Sequence, residues 1–355
     1  MIKTLIFLLM FLNILTSAKQ LSPDLSINHD ILGLYTFKFD TNNFQPSFDI
    51  AGNSTLMYNL SNQLDFTAQV QMGPGGGPLA LAGPSLSVSD FYIHYNYQPN
   101  TSLFMGSFDL PFGLETPFLT NNANSSHQVF MCNNLFYSAL SRSPFGTLNT
   151  VGVMLNHRIK QSTITAMLSN GTGESSENLN NSPAILLSYS QHMFAKKLES
   201  SVSFLHSADD QDTDGTSFES NVAGFLLDAS YFFDNTYFFR AHLGVLNFDD
   251  NENTTSDDVW FYGLSTEFNY DFIKLGVRLS TWLPTDSSGD GENISSELPN
   301  PGLGNVFNDD TITRLQLSLE KPLENQLILS AEYVYDVYKH AGNHPRFITA
   351  IGFGF

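Results

Sequence analysis

The sequence predicts an all-β protein: a transmembrane, up-and-down antiparallel β-barrel of about 16 strands. Three observations carry this reading. Apolar and polar residues alternate with period two in segment after segment of the 355-residue chain. The connections between those segments are short and long in turn. The composition, with 31 Phe, 14 Tyr and only 14% charged residues, suits pleated faces better than solvated helices.

The first element is separate from the rest. Residues 1–18 combine Lys3, the apolar run Leu5 to Leu15 broken by Asn13, and the small residues Thr16-Ser17-Ala18. That order reads as a secretory signal peptide cleaved after Ala18, and the run is too short for a ~30 Å hydrocarbon layer. Residues 19–355 are then one barrel domain. No later stretch approaches the ~18 consecutive apolar residues of a spanning helix. The single cysteine, Cys132, cannot form an internal disulfide.

The strand segments follow in order at 30–40, 47–58, 62–72, 86–97, 101–108, 147–157, 161–169, 183–193, 198–207, 221–233, 236–247, 258–270, 273–283, 310–320, 326–338 and 346–355. In the third, Leu64, Phe66, Ala68, Val70 and Met72 oppose Asp65, Thr67, Gln69 and Gln71. In the thirteenth, Ile273, Leu275, Val277 and Leu279 oppose Lys274, Gly276, Arg278 and Ser280. In the last, Phe347, Thr349, Ile351, Phe353 and Phe355 oppose Ile348, Ala350, Gly352 and Gly354. Short turns such as 59–61, 98–100, 234–235 and 271–272 fall at one end of such a meander. Long connections at 73–85, 109–146, 170–182, 208–220, 248–257 and 284–309 fall at the other. A sandwich would also alternate, but it does not explain the one-sided loops. A propeller would show a repeat of roughly 40 residues, which is absent.

Charge sets the facing. A charge on the lipid face near the midplane costs about 2–4 kcal/mol, so Arg240, Lys274, Arg278, Arg314, Glu332 and Asp336 point inward. Tyr58, Tyr95, Tyr97, Tyr231, Phe233, Tyr237 and Tyr270 gather near the short turns, as an interfacial girdle does. A polar lumen of 16 strands is too wide for side chains to fill and holds water.

With these features on the page, the chain resembles the Gram-negative porins, including the phosphate-selective ones. The resemblance rests on the leader, the strand tally, the terminal Phe355 and the third outside loop, which begins within "MGSFDLPFGLETPF" around Pro111-Phe112-Gly113-Leu114-Glu115. It implies a cell outer-membrane location, passive diffusion of small hydrophilic solutes and ions, a homotrimer, and a third loop folded into the lumen. It further implies that the last strand, with Ile351, Phe353 and Phe355, is read by the barrel-assembly machinery.

The residues bear on the loop independently. A connection of this length is not a plain linker, and "VFMCNNLFYSAL" from Val129 is too apolar to stay in water. The wall facing the gap between strands five and six lies near strands thirteen and fourteen. A constriction between Asp109 and Glu115 on the loop and Arg240, Lys274, Arg278, Arg314 and Arg346 on and around that wall would set up a transverse field. The competing expectation is local pairing, for example Arg314 with Glu267 or Glu332. With 15 Lys and Arg in the whole chain, a dense anion ladder is not expected, and a net charge of −20 favours mild cation preference.

Alternative functions remain open at this level. One is a substrate-specific uptake channel for a siderophore, sugar or aromatic compound, for which Tyr92, Phe261 and Trp282 are the inward aromatic candidates. Another is a surface adhesin barrel. Asp210, Asp212 and Asp214 begin an EF-hand-like calcium spacing that fails at its twelfth position, Asn221, leaving weak calcium binding or divalent bridging to lipopolysaccharide as an expectation. No other cofactor is expected. There is no G-x-S-x-G, H-E-x-x-H or paired cysteine, so no enzyme is expected, and nothing points to nucleic acid.

Overall fold

The strand meander closes on itself. The structure is a computed structural model and describes residues 25–40, 43–74, 84–114, 129–130, 149–169, 183–213, 216–234, 236–250, 255–270, 272–286, 311–323, 327–339 and 342–354. The signal-peptide expectation for 1–18 lies outside these residues, as does Phe355.

Sixteen strands follow in chain order: β1 Leu25–Asp40, β2 Asn43–Ser61, β3 Leu64–Pro74, β4 Pro84–Gln98, β5 Thr101–Asp109, β6 Asn149–Ile159, β7 Ser162–Ser169, β8 Ala184–Met193, β9 Leu198–Thr213, β10 Thr216–Phe232, β11 Tyr237–Asp250, β12 Thr255–Tyr270, β13 Ile273–Asp286, β14 Ile312–Pro322, β15 Leu327–Tyr338 and β16 Gly342–Gly354. Each pairs antiparallel with its neighbours, and β16 pairs back onto β1 from Asp30↔Gly354 to Lys38↔Arg346. Closure leaves no strand edge unpaired.

The alternation in sequence becomes two faces in space. Leu243, Trp260, Leu275, Val277, Leu317 and Ile351 stand exposed on the outside. Their neighbours Arg278, Arg314, Gln316, Glu332 and Arg346 are buried on the inside. An outward surface of Leu, Val, Ile and aromatics is what a hydrocarbon solvent requires. Near the short turns, Tyr58, Tyr97, Phe233 and Tyr270 are exposed, and Tyr231, Phe233, Tyr237 and Phe268 touch in sequence, the first pair edge to face and the next two tilted, with centroids 4.7 Å apart. This is the expected girdle.

Two expected loops are strands instead. β9 continues to Thr213 and meets β10 at Thr216, so most of 208–220 is a paired ladder, and β11 and β12 likewise extend through much of 248–257. Alternation reports only where one face meets an apolar environment. Polar residues on both faces pair equally well beyond that level, because the ladder needs only backbone groups.

Candidate pore constriction

The inner wall of β5–β12 is not polar throughout. Phe104, Met154, Met167, Leu186, Leu205, Gly224, Leu246 and Val259 are opposite one another in successive strand pairs, forming a hoop around the inside. The row Gly244, Phe261, Trp282, Ile312 and Tyr338 lies beside its far end. Phe108 at the end of β5, and Leu110 and Phe112 beyond it, pack into the same cluster.

This hoop receives the third loop. A Cβ on Gly224 would lie 2.9 Å from a Leu246 methyl and 3.3 Å from the Phe112 ring, so the glycine leaves room for both. Gly113 N donates to Ser203 Oγ at 3.3 Å and Leu114 N to Asp228 Oδ2 at 3.0 Å. The loop's first limb has therefore left β5 and reached the β9–β10 wall. Burying a Phe side chain there contributes roughly 1.5–3 kcal/mol.

A second anchor lies across the ring. Val129 O accepts from Ser318 Oγ at 2.5 Å, and Arg278 Cζ lies 4.0 Å from the centroid of the Phe130 ring. A Cβ on Gly276 would clash with Val129 and would lie 2.8 Å from Phe130 Cζ. Val129 and Phe130 thus sit in a socket on β13 and β14, half the ring from β5. The apolar segment from Val129 was expected on the inner wall, and these two residues are there, in direct contact with the wall expected to face the loop across water; 131–148 lie outside the described residues.

The same wall holds most of the candidate charges. Arg314 grips Asp336 with Nε–Oδ1 at 2.6 Å and Nη2–Oδ2 at 3.0 Å, and Arg346 also bonds Asp336 Oδ2. Gln316 Nε2 donates to Glu332 Oε1 at 2.8 Å, and Arg278 Nη1 to Gln316 Oε1 at 3.5 Å. Lys274 pairs with Glu320 at 2.7 Å, nearer the short-turn end. Arg240 Nε donates to Ser230 Oγ at 2.8 Å, with its guanidinium 5.8 Å from the Phe238 ring centre. All five bases are inward, as expected. Local pairing replaces a bare positive wall, and Asp336 is a partner of both Arg314 and Arg346. A buried guanidinium is tolerable only with such a partner.

The acidic side of the expected constriction is placed differently. Asp109 is the last residue of β5, opposite Asn149, and so belongs to the strand ladder. Glu115 lies outside the described residues. Asp210 and Asp212 are strand positions opposite Glu219 and Ser217, and Asp214 lies outside the described residues. No group of three or more potential metal ligands occurs among the described residues. Ile351 is exposed on the outer face, and Phe353 pairs with Ile31 and Leu327.

Sequence reasoning missed the glycine sockets and the hub role of Asp336. Gly276 stands between Lys274 and Arg278 at an inward position, and that break in side-chain size was the available signal. It also undercounted the inward aromatics: Phe104, Phe238 and Tyr338 join Tyr92, Phe261 and Trp282.

No family model and no curated protein matches the chain. Solved structures do. The outer membrane channel DcaP of Acinetobacter baumannii superposes with a TM-score of 0.66 at 9% identity, covering 96% of this chain and 99% of that one. An anion-selective porin from Comamonas acidovorans gives 0.66 at 9% identity, covering 94% and 100%. In-vitro folded OmpT of Vibrio cholerae, an outer membrane protein in a trimer form, gives 0.64 at 11% identity, covering 94% and 100%. With its closed 16-strand meander, this chain has the fold of the outer-membrane porin and channel barrels.

Proposed function

We propose that the protein is a Gram-negative outer-membrane porin that lets small hydrophilic solutes and ions diffuse passively through a loop-narrowed, water-filled lumen. The observation that carries this is the third loop held inside the closed barrel at two walls, by Phe112 to Leu114 on β9–β10 and by Val129 and Phe130 on β13–β14. A loop spanning the lumen leaves off-axis passages and a smaller bore than an empty ring. The mutual pairing of Arg314, Arg346 and Asp336 supports weak ion selectivity rather than an anion path. A homotrimer, assembly through the β16 strand with Phe355, contact with outer-membrane lipids and lipopolysaccharide, and weak calcium binding by the acidic 208–220 hairpin complete the reading. No catalytic role is included.

The inward aromatic row supports a second reading, a channel selective for aromatic or other partly apolar solutes. Planar-bilayer recording separates the two. A stable ohmic conductance without solute block is expected for the general pore. Block by one aromatic solute at low concentration would favour the selective channel, and absence of conductance would favour an adhesin barrel.

A further inference from the structure

The short-turn rim above β6–β9 carries a basic patch with no part in the pore. Lys160, Lys196 and Lys197 are three of the chain's 15 Lys and Arg, and all are exposed. They sit at two consecutive turns, β6–β7 and β8–β9. The turns touch: His192 N donates to Gln161 O at 2.9 Å. Nearby acids are otherwise engaged. Glu199 faces His192 at 3.7 Å, and Asp234 in the next turn accepts from the Thr236 and Tyr237 amides at 2.8 and 2.9 Å. In a chain of net charge −20, this is a local reversal of sign.

The backbone here is unusual. Phe194, Ala195 and Lys196 have φ of 51°, 56° and 71°, and Lys160 has 57°. Glycine or asparagine would fill such positions with less strain. The turn instead keeps side chains there, closed by Lys197 N to Phe194 O at 3.1 Å. Phe194 stands 71% exposed beside the two lysines, and Tyr189 faces outward on the adjoining strand. An aromatic flanked by lysines just beyond an interfacial girdle matches the headgroup layer of a bilayer.

We propose that this rim binds the phosphates of anionic phospholipids in the leaflet at the short-turn end. Phe194 lies at the boundary between headgroups and acyl chains, and Lys160, Lys196 and Lys197 contact the phosphate. This rests on the membrane-barrel reading above.

The test uses the full chain folded into vesicles of equal phosphatidylglycerol and phosphatidylethanolamine. The lipids retained on the protein after gentle detergent extraction are weighed by native mass spectrometry. Wild type is expected to retain phosphatidylglycerol preferentially, less so at high salt. At roughly fivefold per base near such a surface, K160Q/K196Q/K197Q should lower that preference by at least about tenfold, with single-channel conductance unchanged. Equal preference in the triple variant would overturn the proposal. So would no preference in wild type together with binding of a soluble polyanion to the rim. Failure of wild type to insert and conduct would overturn the membrane reading itself, a result distinct from either.

Discussion

The two inner walls of the barrel differ. On β13–β16, Arg278, Arg314, Gln316, Glu332, Asp336 and Arg346 are buried and bonded to one another, and Val129 and Phe130 are seated on part of that wall. On β6–β8, Asn156, Thr163, Thr165, Ser188 and Ser190 are uncharged and only half-buried. Thr165 Oγ1 donates to Asn156 Oδ1 at 2.8 Å, and Ser188 shares a bond with Ser203 at 2.9 Å. The wall with the most charge is thus built as a foundation, and the wall with hydroxyls is the better candidate for a water-facing surface. Charge in a lumen does not by itself mark the solute path; accessible charge does.

The largest effect should come from removing the foundation's hub. Asp336→Ala leaves Arg314 and Arg346 without their shared carboxylate. It should destabilise the barrel by about 3–5 kcal/mol, read from urea unfolding in lipid vesicles. Replacing all three residues with apolar ones of similar volume should recover most of that loss, since the cost lies in the orphaned charges. If Asp336→Ala unfolds like wild type, the pairing does not support the wall.

The next effect should be on the bore. Gly276→Leu fills the socket of Val129 and Phe130 and should unseat the loop while the strands still close. Single-channel conductance should then change by about twofold or more, because a loop across the lumen controls the open cross-section. An unchanged conductance would separate this anchor from the constriction.

The smallest effect should be on selectivity, and it sharpens the contrast between walls. Thr165→Lys with Ser190→Lys places new charge on the hydroxyl side and should shift reversal potentials measurably toward anions. Arg278→Gln, under the Phe130 ring, should shift them less. A larger shift from Arg278→Gln would return the path to the charged wall.

Much of this was legible in the sequence, and the limits have physical causes. Every strand was visible, because lipid on one face and water or protein on the other imposes period two. The inward set of Arg240, Lys274, Arg278, Arg314, Glu332 and Asp336 followed from the cost of charge in hydrocarbon. That the segment from Val129 packs inside followed from its apolar character, but its seat on β13–β14 did not. The Arg314–Asp336 pair did not, since Glu332 and Asp336 share a face of one strand and only the register places Asp336 directly opposite Arg314. The hairpin through 208–220 was hidden because both its faces are polar. The apolar hoop was hidden because its members come from eight strands, each contributing one inward residue that looks incidental alone.

The seam between β1 and β16 carries a kinetic consequence. Lys38 lies opposite Arg346, so nearly the whole chain separates the two sides of that ladder. Every other neighbouring pair of strands can zip as soon as its hairpin exists, whereas this one must wait for the final strand. Until then the sheet has two open edges, each able to capture a stray strand. Contacts of such sequence separation form slowly. A chain that needs its last strand to finish its first is vulnerable for the whole time of its synthesis and transit, and protection during that interval matters more than the stability of the closed ring.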